Sequence, residues 1–129
     1  MNWNKKMKCL IIDTNAWMAI AEFKLDIFAA LERDLDFSYK VYVLQGTINE
    51  LRQIASEQKG KFRQAALLAI GIIEVKKIAV IPELEDVDKK LAEHSRKGDL
   101  ILTQDIALKK NLKKPYLTIR QKRRILMVE

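Results

Sequence analysis

The chain is short and basic. It has 129 residues, 24 Lys and Arg against 17 Asp and Glu, a formal net charge of +7, and 49% hydrophobic residues. This composition fits one compact domain over residues 1–129 and excludes a disordered chain, a collagen-like chain and two independent cores. With one cysteine and one histidine, the chain can form neither an intramolecular disulfide nor a zinc cage of Cys and His ligands by itself.

Short apolar runs rich in β-branched residues predict strands at residues 9–12, 41–44, 78–81, 100–103 and 116–119. The first four lack polar alternation, which is typical of strands covered on both faces. The segments between them have helical periodicity and predict two short helices within residues 16–35 and further helices at 47–58, 62–77, 87–97 and 106–112. This alternation predicts an α/β fold: a three-layer sandwich with a central, mostly parallel, twisted sheet of about five strands flanked by helices.

No segment of the sequence resembles a membrane span or an export signal. The longest apolar run, residues 65–73, is about half the ~20 residues that a membrane-spanning helix needs. The basic start of the chain is followed by only four apolar residues before Asp13, which is too few for a secretory signal. We therefore expect a cytoplasmic protein with no membrane partner.

Positive charge is concentrated in the C-terminal segment 109–124. Eight basic residues and no acid lie in these sixteen positions, while the rest of the chain sums to −1. Clustered Lys and Arg are what phosphate contacts require, so the segment predicts a nucleic-acid partner, with a solvated basic face as the alternative. The candidate RNA-binding residues are Lys109, Lys110, Lys113, Lys114, Arg120, Lys122, Arg123 and Arg124.

Four acids follow the carboxyl ends of predicted strands, where ligands bind in open α/β sheets. They are Asp13, Glu50, Asp88 and Asp105. Carboxylates gathered at one edge repel one another and recruit cations, and hard oxygen ligands suit Mg²⁺ or Mn²⁺. Two such ions about 4 Å apart can activate water and stabilise the leaving oxygen in phosphodiester hydrolysis. The four acids are therefore candidate metal ligands and catalytic residues.

Each acid also has a purely structural interpretation. Glu50 fits a capping box that begins at Thr47, and Asp13, Asp88 and Asp105 stand where helix starts favour an acid. At Asp13 the neighbours Thr14 and Asn15 could cap the helix instead and leave the carboxylate available.

Several other residues are secondary candidates. Thr14, Asn15 and Thr103 could hold metal-bound water or orient Asp13. Asp86 could replace Asp88, because helix phase is uncertain by a residue or two at the first turn. His94 is expected on the surface and is not a candidate catalytic base.

The ordered set of motifs resembles the PIN domain family. The motifs are IIDTN at residues 11–15, INEL at 48–51, VD at 87–88 and LTQD at 102–105. The resemblance implies a parallel-sheet ribonuclease dependent on Mg²⁺ or Mn²⁺, with Asp13, Glu50, Asp88 and Asp105 as its acids. Residues 116–122, YLTIRQK, look most like the archaeal branch related to the PIN nucleases of the small-subunit processome. The expected function is thus an endoribonuclease of ribosomal RNA processing that acts on pre-ribosomal RNA and can form a homodimer.

Two departures from that branch leave other functions open. Many of its members carry further acids where this chain has Lys89 and Ala107. Four acids suffice for one ion and place a second ion in doubt. The alternatives are a ribonuclease toxin of a toxin–antitoxin pair and an RNA-binding scaffold that kept the PIN fold with weak or no catalysis.

Overall fold

The computed structural model describes residues 7–129, in which six strands form one sheet. The strands are β1 (Lys8–Ile12), β2 (Tyr39–Leu44), β3 (Ala79–Ile81), β4 (Leu100–Leu102), β5 (Tyr116–Arg120) and β6 (Arg124–Val128). The helices are α1 (Thr14–Glu22), α2 (Ile27–Asp34), α3 (Gln45–Glu57), α4 (Gly60–Val75), α5 (Val87–Arg96) and α6 (Ile106–Lys109). Within these residues no helix has both the length and the apolar content to cross a bilayer.

The strand order is β3-β2-β1-β4-β5-β6, and β1 to β5 run parallel. Their carboxyl ends therefore meet at one edge of the sheet, which we call the carboxyl edge, and their starts form the opposite amino edge. The central strand β1 pairs with β2 on one side and β4 on the other. This register places the residue after β1 between the ends of its two neighbours.

The sheet is covered on both faces, as its unbroken apolar strands require. Alternate β1 residues point to opposite sides: Leu10 and Ile12 pack with helices α1 to α4, whereas Ile11 packs with α5 and α6. Trp17 of α1 is fully buried in the larger of these two cores. The predicted three-layer α/β sandwich is confirmed.

The sixth strand is absent from the sequence prediction. β6 pairs antiparallel with β5, with Arg120 opposite Arg124. The intervening turn places Gln121 and Lys122 at positive φ, of 54° and 62°. Such turns are usually marked by Gly, Asn or Asp, and this one has none, so the sequence carries no recognisable hairpin signal.

Candidate active site

Asp13 lies at the carboxyl end of the central strand and is 4% exposed. It is the N-cap of α1, and its Oδ1 accepts a hydrogen bond of 2.7 Å from the Thr14 amide. Its Oδ2 accepts one of 2.7 Å from the Thr103 hydroxyl. The expectation that Thr14 or Asn15 caps α1 in its place is therefore wrong: Asp13 caps the helix with one oxygen and presents the other toward β4.

The surroundings of Asp13 favour its neutral form. Burial is the largest cause and raises its pKa from 3.8 to about 6, against the lowering effect of the Thr103 and Thr14 hydrogen bonds. Asp88 and Glu50 raise it further through charge repulsion. None of the ion pairs within residues 7–129 involves Asp13. A buried carboxylate without a cationic partner is a strained electrostatic arrangement that a bound cation would relieve.

Glu50 of α3 contacts the residue that follows Asp13. Its Oε1 accepts a short hydrogen bond from the Thr14 hydroxyl, which joins α3 to the start of α1. The capping-box interpretation of Glu50 is wrong, because α3 begins at Gln45 with no side-chain cap and Glu50 lies beyond its first turn. Its side chain contacts Thr14 of α1 instead of the start of its own helix.

Asp88 and Asp105 complete the acidic group. Asp88 lies in the first turn of α5, and its pKa is raised by burial and then by the charges of Asp105 and Asp86. Asp105 caps α6, and its Oδ1 accepts hydrogen bonds from the amides of Ala107 and Leu108. Asp86 is occupied as the N-cap of α5 through the Lys89 amide. The fold therefore brings the four acids close enough for neighbouring charges to interact. The interacting pairs are Glu50 with Asp13, Asp13 with Asp88, and Asp88 with Asp105.

A polar network fixes the loop after β4. The Thr103 hydroxyl accepts from the Asp105 amide at 3.0 Å while it donates to Asp13. The Asn15 Oδ1 accepts from the Gln104 amide at 3.1 Å. Thr103 thus holds one oxygen of Asp13, and Asn15 holds the backbone of the loop that carries Asp105.

Gln104 is a positioning residue that sequence reasoning missed. Its Oε1 accepts from the Thr118 hydroxyl at 2.8 Å and from the Ile119 amide at 2.7 Å, which ties the loop that carries Asp105 to β5. A polar residue between two candidate site residues at a strand end was the available signal.

The loop between β3 and α5 fits closely against α3. The Gly46 amide donates to the Glu83 carbonyl at 3.0 Å, and a Cβ at position 46 would lie 2.9 Å from Val87 Cγ2. The Glu83 carboxylate lies 2.7 Å from Nε2 of His94, whose Nδ1 lies 2.9 Å from Asp99. His94 is 8% exposed, so its predicted surface position is wrong; it clamps the loop that leads to Asp88.

The fold divides the basic C-terminal segment. Lys113 and Lys114 lie at the amino edge, in a groove with Lys8 of β1 and Gly98 just before β4. Lys109 and Lys110 lie at the end of α6, and Arg120 and the turn residues Lys122 and Arg123 lie around the hairpin tip. Arg124 pairs with the buried Asp34 carboxylate at 3.0 Å. The eight basic residues therefore do not form one continuous patch.

The donor chemistry of the acidic group fits a hard divalent cation. Carboxylate oxygens are hard ligands, the four acids are linked by charge repulsion, and Asp13 is buried with no cationic partner in the part of the chain that the structure describes. As the side chains stand in residues 7–129, no three His, Cys, Asp or Glu groups are arranged to hold a metal ion. The acids are thus neighbours in one site and not a completed ligand cage.

Fold and site together define an α/β/α protein with an acidic site at the carboxyl edge of a parallel sheet. A family model described as "PIN like domain" matches residues 10–124. The chain therefore belongs to the PIN-like domain family, as the sequence motifs indicated.

Two known proteins are similar to this chain. The chain is 27% identical over 112 residues to Ribonuclease VapC9 of Archaeoglobus fulgidus, an alignment that covers 85% of this chain and 79% of that protein. Its fold is similar to the structure of the PIN domain endonuclease Utp24, with a TM-score of 0.74 at 20% identity over 92% of this chain and 90% of the other.

Proposed function

We propose that this protein is a divalent-metal-dependent endoribonuclease that hydrolyses RNA phosphodiester bonds. The observation that carries the proposal is the buried Asp13 carboxylate, which has no cationic partner within residues 7–129 and whose charge is repelled by Glu50 of α3 and Asp88 of α5. Membership of the PIN-like family and the similarity to Ribonuclease VapC9 support nuclease activity.

The residues of the site have separable tasks. Asp13, Glu50, Asp88 and Asp105 would hold Mg²⁺ or Mn²⁺, which when bound lowers the pKa of water and neutralises phosphate charge. Asp13 is held rigidly by Thr103 and by the Thr14 amide, so its oxygen positions are set before substrate arrives. Glu50 is held through the Thr14 hydroxyl.

Basic residues near the hairpin tip would contact the RNA backbone. Arg120 ends the strand that Gln104 fastens to the site loop, and Lys122 and Arg123 lie in the turn that follows it. Arg124 is already paired with Asp34, so we expect it to contribute less to RNA affinity than its neighbours.

The biological setting that we propose is the processing of pre-ribosomal RNA in the cytoplasm, by a protein that can form a homodimer. The ribosomal setting is based on the sequence resemblance of residues 116–122, the homodimer on the resemblance to the family, and the cytoplasmic location on the sequence pattern alone. A toxin role, favoured by the similarity to VapC9, would be shown instead by growth arrest on expression and by an adjacent antitoxin gene.

A scaffold function has one structural observation in its favour. The described residues hold no completed metal cage, and Lys89 and Ala107 occupy positions where further acids occur in the branch that the sequence resembles. The scaffold proposal predicts RNA binding without cleavage in Mg²⁺ or Mn²⁺.

The test incubates structured and single-stranded RNA with the protein in MnCl₂, in MgCl₂ and in EDTA. We expect internal cleavage that needs the metal, is lost in Asp13→Asn, and persists in Asp36→Asn, which removes an exposed acid outside the site. Cleavage that continues in EDTA or in Asp13→Asn would refute the metal mechanism. Binding of RNA without cleavage in any metal would favour the scaffold.

A further inference from the structure

The amino edge of the sheet carries a concentration of basic residues that the site at the opposite edge does not use. Every parallel strand has a Lys or Arg at its first or second residue or within the four residues before it. These exposed residues, called here the amino-edge bases, are Lys8, Lys40, Lys76, Lys77, Arg96, Lys97, Lys113 and Lys114. None of them belongs to an ion pair within residues 7–129.

Acidic side chains do not balance this charge. Those nearest along the chain are Glu32, Asp36, Glu74 and Asp99. Glu32 accepts a long hydrogen bond from Tyr39, and Asp99 is engaged by His94. Eight bases against these four acids leave the edge with a net positive charge.

Helix capping accounts for only part of the pattern. Basic residues are favoured at helix C-termini, which explains Lys76 after α4 and Lys97 after α5. Lys8 and Lys40 lie within strands, and Lys113 and Lys114 lie just before β5, separated from it by Pro115. These four lysines have no such structural reason for their position.

The amino-edge bases line two grooves. One, of about 420 Å³, contains Lys8, Lys113 and Lys114 beside Phe37. The other, of about 440 Å³, contains Lys40, Lys76 and Lys77 beside the aromatic rings of Tyr39 and Phe28. Basic grooves with aromatic side chains are typical of surfaces that bind single-stranded nucleic acid, in which phosphates meet Lys and bases stack on rings. A lipid surface would find no protruding amphipathic helix among the residues that line these grooves.

The dimensions also suit an extended polyanion. Five parallel strands, about 4.8 Å apart, spread the bases over roughly 19 Å. The six residues of β2 separate this edge from the acids by roughly 20 Å. A nucleic-acid segment bound at the amino edge is thus distinct from the segment that would lie at the acidic site.

We propose that the amino edge is a second RNA-binding surface, which holds single-stranded RNA at a distance from the acidic site. The inference rests on the proposed function only in taking RNA as the polyanion. It concerns binding and does not require that the acids be catalytic.

The test measures affinity by fluorescence anisotropy in the Asp13→Asn background with EDTA, so that cleavage does not interfere. The amino-edge variant changes Lys8, Lys40, Lys113 and Lys114 to Gln. The matched control variant removes the same charge elsewhere by changing Lys24, Arg52, Lys59 and Lys61 to Gln. Circular dichroism verifies that both variants are folded. If the amino-edge variant is not folded, the double variant Lys113→Gln/Lys114→Gln replaces it.

For the amino-edge variant we expect an affinity at least tenfold lower near physiological salt. The slope of log K against log salt should fall by about 2 to 3, because each neutralised phosphate of a single strand contributes ~0.7 to that slope. The control variant should keep most of the affinity and most of the salt slope. Equal losses in the two variants, or no loss in either, would overturn the inference, and so would lysine-dependent binding to phosphatidylserine vesicles without binding to RNA. Failure of the nuclease proposal would show separately, as absence of cleavage by the wild-type protein in MnCl₂.

Discussion

The buried Asp13 carboxylate makes a prediction about stability that is independent of catalysis. Asp13→Asn keeps the shape of the side chain and an oxygen for the Thr14 amide, while it removes the charge. The pKa of Asp13 is raised in the folded state. Between about pH 4 and pH 6 the folded protein therefore keeps the proton on this carboxyl, whereas the unfolded chain has lost it. The stability of the wild-type protein in EDTA therefore falls as the pH rises through this window, and the variant lacks that loss.

The size of the effect comes from the pKa difference. A change from 3.8 to about 6 corresponds to about 3 kcal/mol at neutral pH, at ~1.4 kcal/mol for each pKa unit. For a domain of this size that is a difference of roughly 10 °C in Tm. Near pH 4 both proteins are neutral at this position and should have similar stability.

Thermal and urea unfolding at pH 4, 5, 6 and 7.5 in EDTA measures this difference directly. We expect the advantage of Asp13→Asn to grow from near zero at pH 4 to its full value by pH 7. Asp36→Asn, at an exposed position, serves as the control and should show little change. A variant that is no more stable than wild type at pH 7.5 would refute the argument that Asp13 is buried without charge compensation.

Three further perturbations follow from the contacts described above. Gly46→Ala should lose about 1 to 3 kcal/mol in urea unfolding, because its Cβ would meet Val87, whereas Gly71→Ala, with open space in α4, should gain about 0.5 to 1 kcal/mol. Asp34→Asn should destabilise the protein at pH 7 and progressively less as the pH falls below 4, because arginine contacts lower the folded-state pKa of this acid. Thr103→Val should weaken Mn²⁺ affinity in calorimetry by roughly tenfold or more by removing the hydroxyl that orients Asp13.

These predictions have clear contrary outcomes. Equal effects of alanine at positions 46 and 71 would refute the close approach of α3 to the β3–α5 loop. A loss in Asp34→Asn that is the same at pH 3 and pH 7 would show that its ion pairs do not stabilise the fold. Unchanged Mn²⁺ affinity in Thr103→Val would remove this residue from the support of the site.

Much of the fold could be predicted because each of the first four parallel strands is a short apolar run that is followed by a segment with helical periodicity. The carboxyl edge followed from this topology alone, and with it the expectation that Asp13, Glu50, Asp88 and Asp105 meet. Strand β6 could not be predicted because its turn uses Gln121 and Lys122 at positive φ, which no turn motif announces.

Side-chain partners were the part that the sequence could not determine. Asp13 acts both as a cap and as a site residue because its two oxygens face different donors, which no pattern of residue types specifies. His94 is buried because Glu83 and Asp99 arrive from other elements. The basic segment was contiguous in sequence, but β5 carries its two halves to different parts of the molecule.

The hydrogen bond from Thr103 to Asp13 joins residues 90 positions apart. During synthesis on the ribosome, the first acid therefore emerges long before the hydroxyl that orients it, and the loop around it is fastened only when Thr118 and Ile119 reach Gln104. A nascent or truncated chain that stops before β5 lacks the two groups to which Gln104 fastens this loop. The order of translation thus delays the fastening of the loop that carries Asp105 until β5 has been made.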